Sequence, residues 1–229
     1  MSMIDRYEDV RERMETACRR AGRRADEVRL VAVSKYVDTE RMQALADLGV
    51  KSFGENHAQE VREKKTFFER NGIDVHFIGQ LQTNKIKYIC GTASIVESID
   101  RQSLLDALES KCAALDLTTD VLLQVNIGDE PQKGGVSVEL LPALLESAGQ
   151  AAHLRLRGLM CVPPALEPEA ARPYFARMRT LFDRLRGEAS GADFNVLSMG
   201  MSHDFPVAIE EGATEVRVGT ALFGARDRK

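Results

Sequence analysis

The chain has 229 residues, 44% hydrophobic and 29% charged, the composition of an ordinary soluble protein with enough apolar material for a substantial core. A net charge of −4 gives no basic footprint for nucleic acid. The charged N-terminal stretch MSMIDRYEDVRERMETACRR lacks the apolar segment of a secretory signal, and no apolar run approaches the ~20 residues that span a bilayer. Cys18, Cys90, Cys112 and Cys161 are scattered, with no C-x-x-C pair and no metal-type spacing to a histidine. Reduced thiols in a soluble, cytoplasmic protein are therefore expected.

In chain order, an amphipathic helix near Ile4–Arg20 precedes the first predicted strand, Arg29–Ser34. Further strands are predicted at Ser52–Gly54, Val75–Ile78, Ile95–Ser98 and Val121–Val125. The last three are predicted at Leu154–Leu159, Phe194–Leu197 and Glu215–Val218. Helices are predicted between them at Thr39–Leu48, His57–Glu69, Arg101–Leu115, Val138–Gln150, Glu169–Arg186 and His203–Glu210. Strands alternating with helices argue for βαβ units and a parallel sheet, and eight in this length suggest a closed (β/α)8 TIM barrel. An open doubly wound sheet is the alternative, but no G-x-G-x-x-G follows the first strand. PPALEPEAARP, residues 163–173, reads as a βα loop, so residues 1–229 are expected to form a single domain.

In a barrel, chemistry collects where strands end and βα loops begin. Those ends are polar and glycine-rich here: Ser34-Lys35, Gly54-Glu55-Asn56, Gly79-Gln80, Asn126, Ser198-Met199-Gly200 and Gly219-Thr220. Alternation places Val31, Val33 and Lys35 on one face of the first strand, with Tyr36 expected on the other. On the last strand Arg217 shares a face with Glu215 and Gly219, opposite Val216 and Val218. Arg217 is then expected inside the barrel near its upper rim, either at a ligand or paired with a carboxylate such as Glu215.

The loops after strands seven and eight carry Ser198, Gly200, Ser202, Gly219 and Thr220, with Ser202 a candidate helix N-cap. Glycine lets a backbone approach an anion, hydroxyls donate to it, and barrel enzymes often bind phosphate at these two loops. Either loop alone reads as a tight turn, whereas two at consecutive strand ends suggest a phosphate site. His57 and His76 lack partners at metal spacing, so no metal is expected, and His203 is expected to be exposed. Gly128–Gly135 (GDEPQKGG) resembles a lid with Lys133 available for an anion, or a solvated loop. No G-x-S-x-G elbow is present.

A lysine at the end of a strand in a partly apolar barrel loses solvation, which favours the neutral amine that attacks an aldehyde to form a Schiff base. With a phosphate site, two readings follow: a class I aldolase acting on a sugar phosphate, or a binder of pyridoxal 5′-phosphate (PLP). Arg217 discriminates, because it could face the pyridine nitrogen, and a guanidinium there cannot supply a proton. The ring would remain a weak electron sink.

The segments VAVSK (31–35), GENHAQE (54–60), HFIGQLQTNK (76–85), QVNIGDEPQKGG (124–135), RGLM (157–160), LSMGMSHDF (197–205) and VRVGTALFG (216–224) span almost the whole chain. In that order they closely resemble the YggS/PROSC family of PLP homeostasis proteins. The resemblance implies a barrel like the N-terminal domain of alanine racemase, holding PLP (vitamin B6) as a Schiff base on Lys35. It also implies Arg217 at the pyridine nitrogen, Ser198, Gly219 and Thr220 on the phosphate side with Met199, Gly200 and Ser202 in the same loops, and Asn56 lining the cofactor. Asp38 stands where the family often has proline, and an aspartate can cap the helix equally well. No catalytic residue is assigned: the β-rich second domain of the racemases is not expected, and no second base opposite Lys35 is evident. The implied role is PLP homeostasis in the cytoplasm by a monomer, with apo PLP-dependent enzymes as candidate recipients. The alternative is a residual amino-acid racemase.

Overall fold

The computed structural model describes residues 2–188 and 193–225. Eight parallel strands pair in chain order and close into a barrel: β1 (Arg29–Val33), β2 (Ser52–Glu55), β3 (Asp74–Phe77), β4 (Ile95–Ile99), β5 (Thr119–Val125), β6 (Leu154–Cys161), β7 (Val196–Met201) and β8 (Glu215–Val218). Closure of β8 onto β1, with Val31 opposite Arg217, rules out the open doubly wound alternative. The helices are α1 (Met3–Arg20), α2 (Thr39–Asp47), α3 (Ala58–Asn71), α4 (Gln102–Leu115), α5 (Leu141–Gln150), α6 (Pro168–Glu188), α7 (Phe205–Glu210) and α8 (Thr220–Phe223). Among the described residues, no helix is long and apolar enough to cross a membrane.

Strand alternation divides the barrel wall into two environments. Ala32, Phe53, Val75, Val121, Leu123, Val216 and Val218 join the buried apolar layer beneath the helices. The opposite faces line the interior, where Ile95, Leu122 and Met160 form a separate small cluster with Val162 and Val196. The rest of that interior is unusually polar, and it carries the site. Outside, α1 starts with a capping box in which Ser2 Oγ accepts from Asp5 N–H at 3.1 Å. It packs on α7 and α8 and buries Val10 and Met14, each contributing roughly 1.5–3 kcal/mol.

Several element boundaries differ from expectation, most of all at β7. The seventh strand was expected to stop at Leu197, but β7 begins at Val196 and runs to Met201. Phe194, assigned to the strand by its β propensity, instead stacks on Phe182 of α6 at 5.2 Å. Gly200, at φ 92, continues the strand where a Cβ would stand 2.6 Å from Ala208 Cβ, so its missing side chain lets β7 lie close on α7. Between β3 and β4, Thr83–Tyr88 forms a 3-10 helix that no apolar periodicity announces.

Candidate functional site

A cavity of about 290 Å³ opens at the C-terminal mouth of the barrel. Lys35, Asn56, Ser202, Arg217, Gly219 and Thr220, six of the nine residues singled out from sequence, line it together. Val33, Ile78 and Val162 supply its apolar wall, and Met201 and His203 complete the lining. Ser198, Met199 and Gly200 do not line it. The extension of β7 explains this: Ser198 faces the barrel interior with no exposure, and Met199 turns into the apolar layer under the helices.

Lys35 lies just past β1, in a turn closed by a hydrogen bond from Val37 N–H to Ser34 O at 3.0 Å. Tyr36 therefore does not continue the strand alternation. Its φ is 60°, a left-handed conformation, and its exposed ring lies 5.1 Å from that of His57.

Arg217 is 3% exposed and its side chain is fixed from below. Nη1 donates to Ser198 Oγ at 2.7 Å and Nη2 to Cys161 O at 2.8 Å. Ser198 Oγ in turn donates to Glu97 Oε2 at 2.6 Å, and Glu97 Oε1 lies 2.7 Å from His76 Nδ1. Glu215 approaches the same imidazole at 3.6 Å. Of the carboxylates that the strand pattern left open for Arg217, the one that pairs with it is Glu97, at 4.0 Å.

Four ionisable side chains buried together must balance one another. Burial opposes charging His76, but the carboxylates of Glu215 and Glu97 outweigh it and raise the imidazole to about 10. For Glu215, burial acts upward, yet His76 pulls the carboxyl down to about 2. Glu97 is pushed up, first by burial and then by Glu215. His76 was expected to lack carboxylate partners, and the fold supplies two. All three groups are of metal-ligating type, but 2.7 Å between Nδ1 and Oε1 is a hydrogen-bond distance, shorter than two ligands of one metal ion usually stand.

The two expected phosphate loops are tied together. Ser202 does not cap its own following helix, whose N-cap residue is Asp204. Its Oγ instead accepts from Gly219 N–H at 3.0 Å and Ala221 N–H at 3.2 Å, across the neighbouring loop. Lys133 is not available as an anion ligand: its ammonium donates to Pro163 O at 2.8 Å and pairs with Glu130 at 2.6 Å. The segment it sits in is fastened by the Val125–Val136 bridge and by Asn126 Nδ2 donating to Glu130 O at 2.9 Å, which is not the build of a loose lid. His203 is exposed as expected and lies 3.6 Å from Glu167.

Sequence reasoning missed Glu97, Ser198's true partners and His203's place on the rim. An acid within the apolar run ASIVESI was the available signal for Glu97. What it pairs with lies 21 and 101 residues away, so only the closed barrel reveals it.

Residues 8–227 match the family model described as alanine racemase, N-terminal domain. A pyridoxal phosphate homeostasis protein from Aquifex aeolicus is 44% identical over 99% of both chains. Among solved structures, an unknown protein from Bifidobacterium adolescentis superposes with a TM-score of 0.91 at 33% identity, covering 96% of this chain and 94% of that one. PipY of Synechococcus elongatus PCC7942, with PLP bound, gives 0.80 at 33% identity over 86% of this chain and 93% of its own. The chain belongs to the alanine racemase N-terminal domain family, within its group of pyridoxal phosphate homeostasis proteins.

Proposed function

We propose that the cavity at the barrel mouth binds PLP and that the protein holds this cofactor for intracellular PLP homeostasis without turning over a substrate. The observation that carries this is the convergence on one cavity of an amine, Lys35, a buried guanidinium, Arg217, and the linked Ser202 and Gly219–Thr220 loops. The name of the Aquifex relative and the PLP held by PipY support it. The lining also fits such a ligand. Asn56 Oδ1 is buried without a hydrogen-bond partner, an unmet acceptor in the cavity wall.

Bound there, PLP supplies an aldehyde that an amine can add to and a ring whose pull on electrons depends on the protonation of its nitrogen. Lys35 provides the amine. Arg217, held by Ser198 Oγ and Cys161 O, would meet the ring nitrogen as a permanent cation that releases no proton to it. Ser202, Gly219 and Thr220 would hold the phosphate end, and Asn56 would orient the ring. Ser198 acts through Arg217, while Met199 and Gly200 support the strand that delivers Ser202. The protein works as a monomeric barrel in the cytoplasm, in keeping with four free cysteines, and apo PLP-dependent enzymes are its candidate recipients.

One observation favours the racemase alternative: His203 puts an imidazole on the cavity rim. Incubating PLP-loaded protein with L- and D-amino acids in deuterated water separates the two. The expected result is α-proton exchange no faster than with free PLP. Faster exchange that disappears in His203→Gln would establish an enzyme instead.

A further inference from the structure

The turn that carries Lys35 rests on a buried charged group that the cofactor site itself does not use. Lys64, on α3, is 8% exposed. Its ammonium donates to Ser34 O at 2.8 Å, to Glu55 Oε1 at 2.8 Å and to Glu60 Oε2 at 2.7 Å, which engages all three of its donors. Glu55 Oε1 also accepts from Ser34 Oγ at 2.7 Å, and Glu60 Oε2 accepts from Tyr36 N–H at 2.8 Å. The residues on both sides of Lys35 therefore end on one cation and two carboxylates, with Glu55 at the end of β2 and the other two one helical turn apart on α3.

Burying these charges needs a reason, because an apolar filling of the same space is often as stable or more so. Burial pushes Glu55 up to about 7 even with Lys64 beside it, so ionising this carboxylate works against its surroundings. The backbone supplies the reason. Lys35 and Tyr36 are the central residues of a turn, and Tyr36 stands at φ 60°, where glycine or asparagine is usual. Such a conformation persists in other residues only where the surroundings over-determine it. Apolar side chains could fill the volume but could not hold the Ser34 carbonyl, the Ser34 hydroxyl and the Tyr36 N–H at once.

We propose that Glu55, Glu60 and Lys64 are positioning residues that aim the Lys35 turn at the cavity by gripping the residues on either side of it. The inference rests on the proposed function, in which a bond forms between Lys35 Nζ and the aldehyde carbon of PLP while the aldehyde oxygen leaves as water. The triad holds Ser34 and Tyr36, the residues on either side of Lys35. Its effect is on the direction from which the amine arrives, and a misplacement of about 1 Å can slow such a step by ~100-fold.

Lys64→Met keeps the length of the side chain and removes its three hydrogen bonds. Mixed with PLP in a stopped-flow spectrometer, this variant is expected to attach the cofactor at least about tenfold more slowly than wild type. Pyridoxine 5′-phosphate, which has the ring and phosphate but no aldehyde, is expected to bind both proteins equally. If Lys64→Met does not fold, Glu60 gives the same test from a less buried position. Glu60→Ala should slow attachment, whereas Glu60→Gln, which keeps an acceptor for Tyr36 N–H, should remain near wild type. Wild-type attachment rates in Lys64→Met and Glu60→Ala would overturn the proposal, and so would equal weakening of both ligands, the mark of a generally loosened barrel. A wild-type protein that attaches no PLP at all would instead overturn the proposed function, and the positioning role with it.

Discussion

Two buried charged networks flank the cavity, one on each side of the barrel wall, and they hold its two cationic residues in different ways. Inside, strands alone supply His76, Glu97, Ser198, Glu215 and Arg217, and the chain of bonds ends on the arginine side chain itself. Outside, between β2 and α3, Glu55, Glu60 and Lys64 end on the residues either side of Lys35. A guanidinium that must stay charged and still is anchored by its own nitrogens. A lysine that must reach and react is set by aiming the turn it stands on. The barrel uses the alternation of its strands to keep these tasks on opposite faces of one wall.

The comparison predicts that damage to the inner network falls on stability. Arg217→Met leaves buried carboxylates short of a cation and should lower the unfolding free energy by about 3–5 kcal/mol, measured by urea denaturation. A loss under ~1 kcal/mol would mean the inner charges are not balanced as described.

Titration sharpens the same point. His76 stands at about 10 against an ordinary 6.5, so the folded protein keeps a proton that the unfolded chain releases. The stabilisation is complete below the unfolded value and is lost as pH rises through the folded one. Between those limits the loss should approach ~1.4 kcal/mol per pH unit, one proton's worth, and should vanish in His76→Gln when melting is followed against pH. An unchanged slope in the variant would assign it to other groups.

The smallest expected effect is at the outer network's turn. Tyr36→Gly relieves a left-handed φ while freeing the unfolded chain, two opposed terms of about 1 kcal/mol each, so thermal stability should barely move. PLP attachment should also keep its rate if the α3 triad, rather than the tyrosine ring, holds the turn. A slower attachment would transfer that role to the ring tilted against His57.

Much of this architecture was visible in the sequence. All eight strands were legible because each apolar run is short and most are followed by helical periodicity, and the lining residues Lys35, Asn56, Ser202, Arg217, Gly219 and Thr220 were legible at the polar, glycine-rich strand ends and the loops that follow them. What was not legible depends on closure. Ser198 looked like a phosphate ligand because Phe194 looked like a strand residue, and a small slip in β7 moves a hydroxyl from a loop into the interior. Lys64 and Glu60 stand one helical turn apart, a spacing common in solvated pairs and so no signal in the sequence, and only the packing of α3 over the Ser34–Val37 turn buries the lysine.

The central claim, that Lys35 at this cavity takes the cofactor, is tested most directly by borohydride. Wild-type protein mixed with PLP, reduced and digested should carry the cofactor's mass on the peptide containing Lys35 and on no other, and Lys35→Ala should carry none. Label spread over surface lysines at equal yield in both proteins would contradict the account.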